Sequence, residues 1–149
     1  MRSYRPSRLR PAYRFRLYPE GSLYVVVNVW DSRADLLKYS DEDDTQISNR
    51  RGIQGTANAI EIIDIRRGRP ARKKPIFAEV NLYRGMLGTE VITHEFFHAT
   101  MAWGRRVGFA WQRLGDDNSV TPDEERITYV HGRLCRDFVA RATAAGLYS

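Results

Sequence analysis

The sequence predicts an α+β domain, and three observations predict it. Two stretches of strict apolar alternation lie between Tyr13 and Val29, a third ends near Gly85, and two long helical patterns occupy the C-terminal half. Tyr13, Phe15 and Leu17 alternate with Arg14 and Arg16. The turn residues Pro19, Glu20, Gly21 and Ser22 follow, and Leu23, Val25, Val27 and Val29 alternate again, which is a β-hairpin. Ser32 with Asp35 has the spacing of a capping box. Ala34, Leu36, Leu37 and Tyr39 then give a short helix before an acidic loop, Asp41 to Asp44. Ala59 to Ile65, rich in β-branched residues, predicts a strand, and Arg66, Arg67, Gly68, Arg69 and Pro70 break it into a basic loop through Lys74. Ile76, Ala78, Val80 and Leu82 alternate with Phe77, Glu79, Asn81 and Tyr83, a half-buried strand.

Thr89 suits the N-cap of the first long helix and Glu90 its positive end; the helix is expected to reach about Trp103 and to stop at Gly104. Phe109 and Trp111, in the loop to Val120, fit either pocket lining or core, which the sequence does not separate, and core is the reading taken. The last helix has the clearest start: Thr121 at the N-cap, Pro122 at the first turn and Glu124 completing a Thr-x-x-Glu capping box, with the helix continuing to about Ala145. The expected fold is a small, mostly antiparallel or mixed sheet followed by these two helices. It is a single domain over 12–149, preceded by a flexible basic arm at 1–11.

Composition narrows the function classes. At 149 residues with 42% hydrophobic side chains the chain can bury one core, and no run approaches the roughly 18 apolar residues of a membrane span. No apolar segment follows Arg2, Arg5, Arg8 and Arg10, so no secretory signal is read, and the expectation is a cytoplasmic protein without a membrane partner. Cys135 is the only cysteine, which leaves no internal disulfide and restricts any metal to histidine and carboxylate ligands. The net charge of +6 invites nucleic acid, with Arg66, Arg67, Arg69, Arg72, Lys73 and Lys74 as the contact residues. Arginine dispersed along the whole chain is the simpler account of that charge.

Chemistry concentrates in His94-Glu95-Phe96-Phe97-His98, an H-E-x-x-H arrangement. Residues four apart share a helical face about 6 Å apart, so two imidazoles can meet one Zn²⁺, and Glu95, one step round, can act as general base on a water at the open side. The alternative is a pair of histidines packed in a core. A zinc site of this kind needs a third protein ligand. His131 is the remaining imidazole, and Asp116, Asp117, Asp123, Glu124, Glu125 and Asp137 are the downstream acids. Glu124 is committed to the capping box, which favours Glu125 and leaves Glu124 second. Tyr129 and Gly132 follow on the same face, where a glycine would let two helices approach.

These residues resemble the gluzincin metallopeptidases, whose H-E-x-x-H is followed by a glutamate on a later helix. His94 and His98 match the histidine ligands and Glu95 the catalytic base. Glu125 with Ile127, Gly132 and Leu134 is similar to the E-x-I-x-x-x-x-G-x-L pattern of thermolysin-like enzymes. The size is closer to the minigluzincins, which include ImmA/IrrE-type proteases acting on repressors and related phage and prophage proteins. The resemblance covers roughly Ile60 to Phe138 and implies a zincin-like fold, one bound zinc, hydrolysis of a peptide bond and a protein or peptide substrate. The chain departs from thermolysin-like enzymes in carrying Tyr129 where they have an aspartate four residues after the ligand glutamate. It also lacks their separate downstream histidine, which makes Tyr129 and His131 the candidates for transition-state or supporting roles. The third histidine of the SprT type, the metzincin extension and a C-terminal zinc ribbon are missing.

On this reading the strand Ile76 to Leu82 is a sheet edge on which an extended substrate adds, with Phe77, Glu79, Asn81 and Tyr83 facing outward. The rival is a basic module that binds nucleic acid or a protein partner, with its zinc non-catalytic.

Overall fold

The structure, a computed structural model, describes residues 9–42, 55–111 and 120–148. Most of the predicted arm, the acidic residues Asp43 and Asp44, and the candidate ligands Asp116 and Asp117 lie outside the described residues. The hairpin forms where alternation predicts it. β1 (Tyr13–Glu20) and β2 (Leu23–Trp30) pair antiparallel with Phe15 opposite Val27, and the chain reverses through Gly21 at φ 61°, a left-handed conformation that a Cβ would strain. The short helix also follows, as α1 (Arg33–Glu42), with Ser32 Oγ accepting from the Asp35 amide as its cap and Asp41 in its last turn.

β3 (Gly55–Ala59) comes next, and then a separate two-stranded ribbon, β4 (Ile63–Asp64) with β5 (Arg72–Lys73). The predicted strand Ala59 to Ile65 is thus divided between two sheets. Its last ladder contact with the main sheet is the Ile60 amide on the Phe77 carbonyl, after which the chain leaves and Ile65 is exposed. Gly55 to Ala59, which has no aromatic residue and only Thr56 β-branched, enters the sheet through backbone pairing with β6 and through the contact of Gly55 and Ala57 with the core side.

β6 (Ile76–Tyr83) corrects the expectation of an edge. The sheet order is β1-β2-β6-β3: β6 is parallel to β2, with Val80 beside Val27, and antiparallel to β3, with Val80 beside Ala57. Both of its backbone edges are consumed, so no substrate strand can add there. Phe77, Glu79 and Asn81 are buried, and only Tyr83 is partly open. The half-buried pattern misled because the second face of this strand is polar and nevertheless covered.

Two long helices close the apolar face. α2 (Thr89–Val107) lies over β6 and β3, α3 (Pro122–Ala144) over β1, and Val25, Val27, Val29, Ala78, Val80 and Leu82 join Ile92, Phe96, Trp103, Val130, Leu134 and Phe138 in one core. Each such side chain is worth about 1.5–3 kcal/mol relative to exposure. On the opposite face α1 roofs a chain of buried polar groups. Arg14 Nε donates to Asn28 Oδ1 at 2.9 Å, Asn28 Nδ2 to Asn81 Oδ1 at 3.0 Å, and Trp30 Nε1 to the same oxygen at 3.0 Å. Asn81 Nδ2 and the Tyr39 hydroxyl then both donate to Glu79 Oε1, at 3.1 and 2.7 Å. A guanidinium at one end and a carboxylate at the other polarise the amides between them in one direction.

The capping box of α3 is present in full: Thr121 Oγ1 accepts from the Glu124 amide, and the Glu124 carboxylate accepts from the Thr121 amide. Arg126 then ties the start of α3 to the hairpin by bonding Glu20, which lowers the carboxyl pKa of Glu20, and its guanidinium lies 5.0 Å from the Trp103 ring centre. α2 differs from expectation at both ends. Gly88 rather than Thr89 is the N-cap, and the helix passes through Gly104 to end at Gly108, whose φ of 69° closes it in a left-handed turn. Gly104 is needed instead for packing, since a Cβ there would lie 2.3 Å from Trp111 Cζ2. Gly132, expected to admit a close helix contact, is exposed and would meet nothing with a Cβ. Among the described residues no helix is long and apolar enough to cross a membrane.

Gly104→Ala is therefore expected to destabilise the protein by about 1–3 kcal/mol, because the Trp111 ring must be displaced from α2. A urea titration showing a lower midpoint at unchanged slope checks it; an unaltered midpoint would mean that Trp111 moves aside without cost.

Candidate metal centre

The H-E-x-x-H segment lies in the first half of α2, and helical phase separates its three functional side chains. Val91, Ile92, Phe96 and Ala99 face the core, so His94 and His98 fall on the outer face one turn apart and are exposed. Their Nε2 atoms approach to 3.3 Å, with the rings 4.8 Å apart and nearly perpendicular. Two nitrogens bound at 2.0–2.1 Å to one tetrahedral zinc are separated by about 3.3 Å, so the pair presents two vertices of such a site. This geometry is the opposite of two histidines packed in a core.

Glu95 turns the other way. It is buried at 7% exposure, between α2 and the edge strand β3. The contact is so close that a Cβ on Gly55 would stand 3.0 Å from Glu95 Cγ, 2.9 Å from Leu82 Cδ2 and 3.1 Å from the Asn81 carbonyl. Burial pushes the Glu95 carboxyl above its ordinary pKa, and the neighbouring charge of His94 pulls only part of the way back. A carboxylate whose proton affinity is raised by its surroundings has the property a general base requires.

The remaining candidates are not gathered at the histidine pair. Among the described residues no group of three or more histidine, cysteine, aspartate or glutamate side chains lies close enough to hold a metal. Glu125 is exposed at the start of α3, and its carboxylate makes no hydrogen bond or ion pair among the described residues. Glu124 is held in the capping box, and Asp137 lies between Arg133 and Arg136. Tyr129 is exposed at 60%, with the Arg133 guanidinium 5.7 Å from its ring centre.

His131 has a helix-joining position. Its Nε2 donates to the Thr93 carbonyl at 3.1 Å, its ring meets Phe97 edge-on, and Cys135 Sγ lies 3.7 Å away. Thr93 immediately precedes His94, so α3 grips α2 at the backbone of the histidine pair. Burial raises the Cys135 thiol pKa, which keeps it neutral.

The residue that sequence reasoning missed is Gly55. It falls outside the predicted strand, and no local signal tells a glycine required by a carboxylate forty residues later from one in a loop. Comparison with protein-family models, curated proteins and solved structures yields no match to this chain.

Two outcomes follow. Gly55→Ala is expected to cost about 1–3 kcal/mol and to shift Glu95, because two of the three crowding atoms belong to packed neighbours and the third to backbone; a denaturation midpoint equal to wild type would refute it. In the metal-free protein, the raised Glu95 pKa means that the folded state holds its proton to higher pH than the unfolded chain. Its contribution to stability is complete below the unfolded pKa and is lost as pH rises through the folded value. Glu95→Gln should thus match wild type near pH 4 and gain on it toward pH 8. Urea titrations with chelator across this range test the divergence, and parallel curves would contradict it.

Proposed function

We propose that the chain is a small zinc-dependent peptidase with a zincin-like arrangement, in which His94 and His98 hold the metal and Glu95 is the general base. The observation that carries this reading is the 3.3 Å approach of the two Nε2 atoms on the open face of α2, with Glu95 next in sequence to His94 and its carboxyl within reach of the His94 charge. Glu125 is the proposed third ligand, supported by its exposure and by the engagement of Glu124 elsewhere. Bound zinc would supply Lewis acidity toward a water and toward a peptide carbonyl.

The protein's own groups do the rest. Glu95 takes a proton from the attacking water and delivers it to the leaving amine, and its surroundings of Gly55 and Leu82 exclude the water that would otherwise solvate it. Among the described residues β3 pairs with β6 alone, and it lies against α2, so an extended peptide adding to its other edge would run past Glu95. The His131 bond to the Thr93 carbonyl fixes the helix backbone at His94, the orienting task for which Tyr129 offers no carboxylate. A single cysteine supports the assignment to a reducing compartment such as the cytoplasm.

Elemental analysis after dialysis against zinc, with casein or a peptide library as the activity probe, tests the reading. Wild type and Glu95→Gln should each retain one zinc per chain, while His94→Ala, His98→Ala and Glu125→Ala lose it. Glu95→Gln should lower hydrolysis by about 10²–10⁴-fold at unchanged zinc content. A wild-type protein that remains metal-free would overturn the proposal, and zinc retained by Glu125→Ala but lost in Glu124→Ala would move the third ligand.

A further inference from the structure

Positive charge exceeds negative in two parts of this sequence: residues 1–16, with six arginines and no acid, and the surroundings of the β4–β5 ribbon. Segment 60–74 with Arg105 and Arg106 carries eight cations against Glu61 and Asp64, an excess equal to the whole net charge of +6, so the remaining residues balance to neutrality. Six of these cations, Arg66 to Lys74, lie on one projection, and Arg105 and Arg106 stand at its base in α2. β4 and β5 pair Ile63 with Lys73 and Asp64 with Arg72, and the connection turns through the Arg69 amide on the Arg66 carbonyl and Gly68 at φ 78°. The ribbon is separate from the main sheet, and every residue from Ile65 to Pro75 is exposed.

Its base is fixed. The Lys74 amide bonds the Ile62 carbonyl, and Arg106 Nη2, in the last turn of α2, donates to the Lys74 carbonyl at 2.6 Å. Arg105 stands exposed beside that anchor. Two cations are neutralised internally, Arg66 by Asp64 at 3.3 Å and Lys73 by Glu61 at 2.8 Å. Arg67, Arg69, Arg72, Lys74 and Arg105 have no ion pair among the described residues, and holding these like charges together costs free energy in the isolated protein.

We infer that the β4–β5 ribbon is a docking element for duplex DNA, entering the major groove and placing Arg67, Arg69, Arg72 and Lys74 on the flanking phosphates. The major groove, about 12 Å wide, admits a two-stranded ribbon, whereas the deep groove of A-form RNA does not. Segment 60–76 contains no aromatic residue, so it offers no platform for stacking the bases of a single strand. Ile63 and Ile65, exposed on the same ribbon, suit apolar contact with thymine methyl groups. The inference uses no residue of the histidine pair and stands apart from the proposed peptidase activity.

The test is fluorescence anisotropy of the full chain with a 20-base-pair DNA duplex between 50 and 300 mM salt. The combined variant Arg67→Gln, Arg69→Gln, Arg72→Gln and Lys74→Gln is compared with a charge-matched control, Arg16→Gln, Lys38→Gln, Arg136→Gln and Arg141→Gln. All four ribbon positions are exposed, and circular dichroism confirms that the variants are folded. The expected result is that the ribbon variant lowers the salt slope by about 3–4 and weakens binding at 100 mM by roughly 100-fold, while the control keeps at least half of the wild-type slope. Binding to the duplex should also persist in His94→Ala. No wild-type binding at 50 mM salt overturns the inference, as does an equal loss in the control, which would mean diffuse charge. Tighter binding to the single strand, to an RNA duplex or to phosphatidylserine vesicles than to duplex DNA overturns it as well.

Discussion

The constraint on which this structure depends is that β6 is buried from both sides. Flanked by β2 and β3, it has no free backbone edge, and neither of its faces meets water. One face is apolar and takes α2, while the other presents Glu79 and Asn81 and requires a roof that satisfies them. α1 provides that roof through Tyr39, and β1 and β2 reach the same network through Arg14, Asn28 and Trp30. Removing Asn81 would leave the buried Asn28 Nδ2 and Trp30 Nε1 without their acceptor, at about 1–3 kcal/mol each, and the Tyr39 bond to Glu79 sets α1 over this face.

The candidate centre inherits its asymmetry from this arrangement. Because α2 must bury Ile92, Phe96 and Ala99, its helical phase forces His94 and His98 outward and Glu95 into the seam with β3. The seam admits a carboxylate only because Gly55 has no side chain there. The edge strand and the buried glutamate are thus parts of one contact. His131 adds a cross-helix bond at the backbone beside His94, so the histidine pair is supported by α3 without a carboxylate partner.

The basic ribbon shows the same separation of roles at the far end of α2. Its anchor, Arg106, lies eight residues beyond His98, about 12 Å along the helix axis. One rigid helix thus carries the histidine pair near its start and holds a concentrated positive surface at its end. The ribbon adds little to the core, and its like charges oppose compaction.

Elements set by local chemistry were legible in the sequence. The hairpin of β1 and β2, the Ser32 cap of α1, the capping box of α3 and the histidine spacing in α2 all depend on residues within a few positions of one another, and each stands as the pattern predicts. What failed was non-local. The interior position of β6 depends on pairing with Ala57 and Val27, so alternation of apolar residues marked a strand but not its neighbours. Gly104 was misread as a terminator and Gly132 as a packing site, since a glycine's role lies in what its missing Cβ would touch, Trp111 in one case and nothing in the other. By itself the sequence determined the hairpin, the strand Ile76–Tyr83, the two long helices and the spacing of His94, Glu95 and His98 on one of them, because helical and strand periodicities are properties of the chain. Only the tertiary structure decided that Glu95 is buried against an edge strand and that Arg106 of α2 anchors the base of the basic ribbon, because both follow from distances between segments that sequence order does not carry.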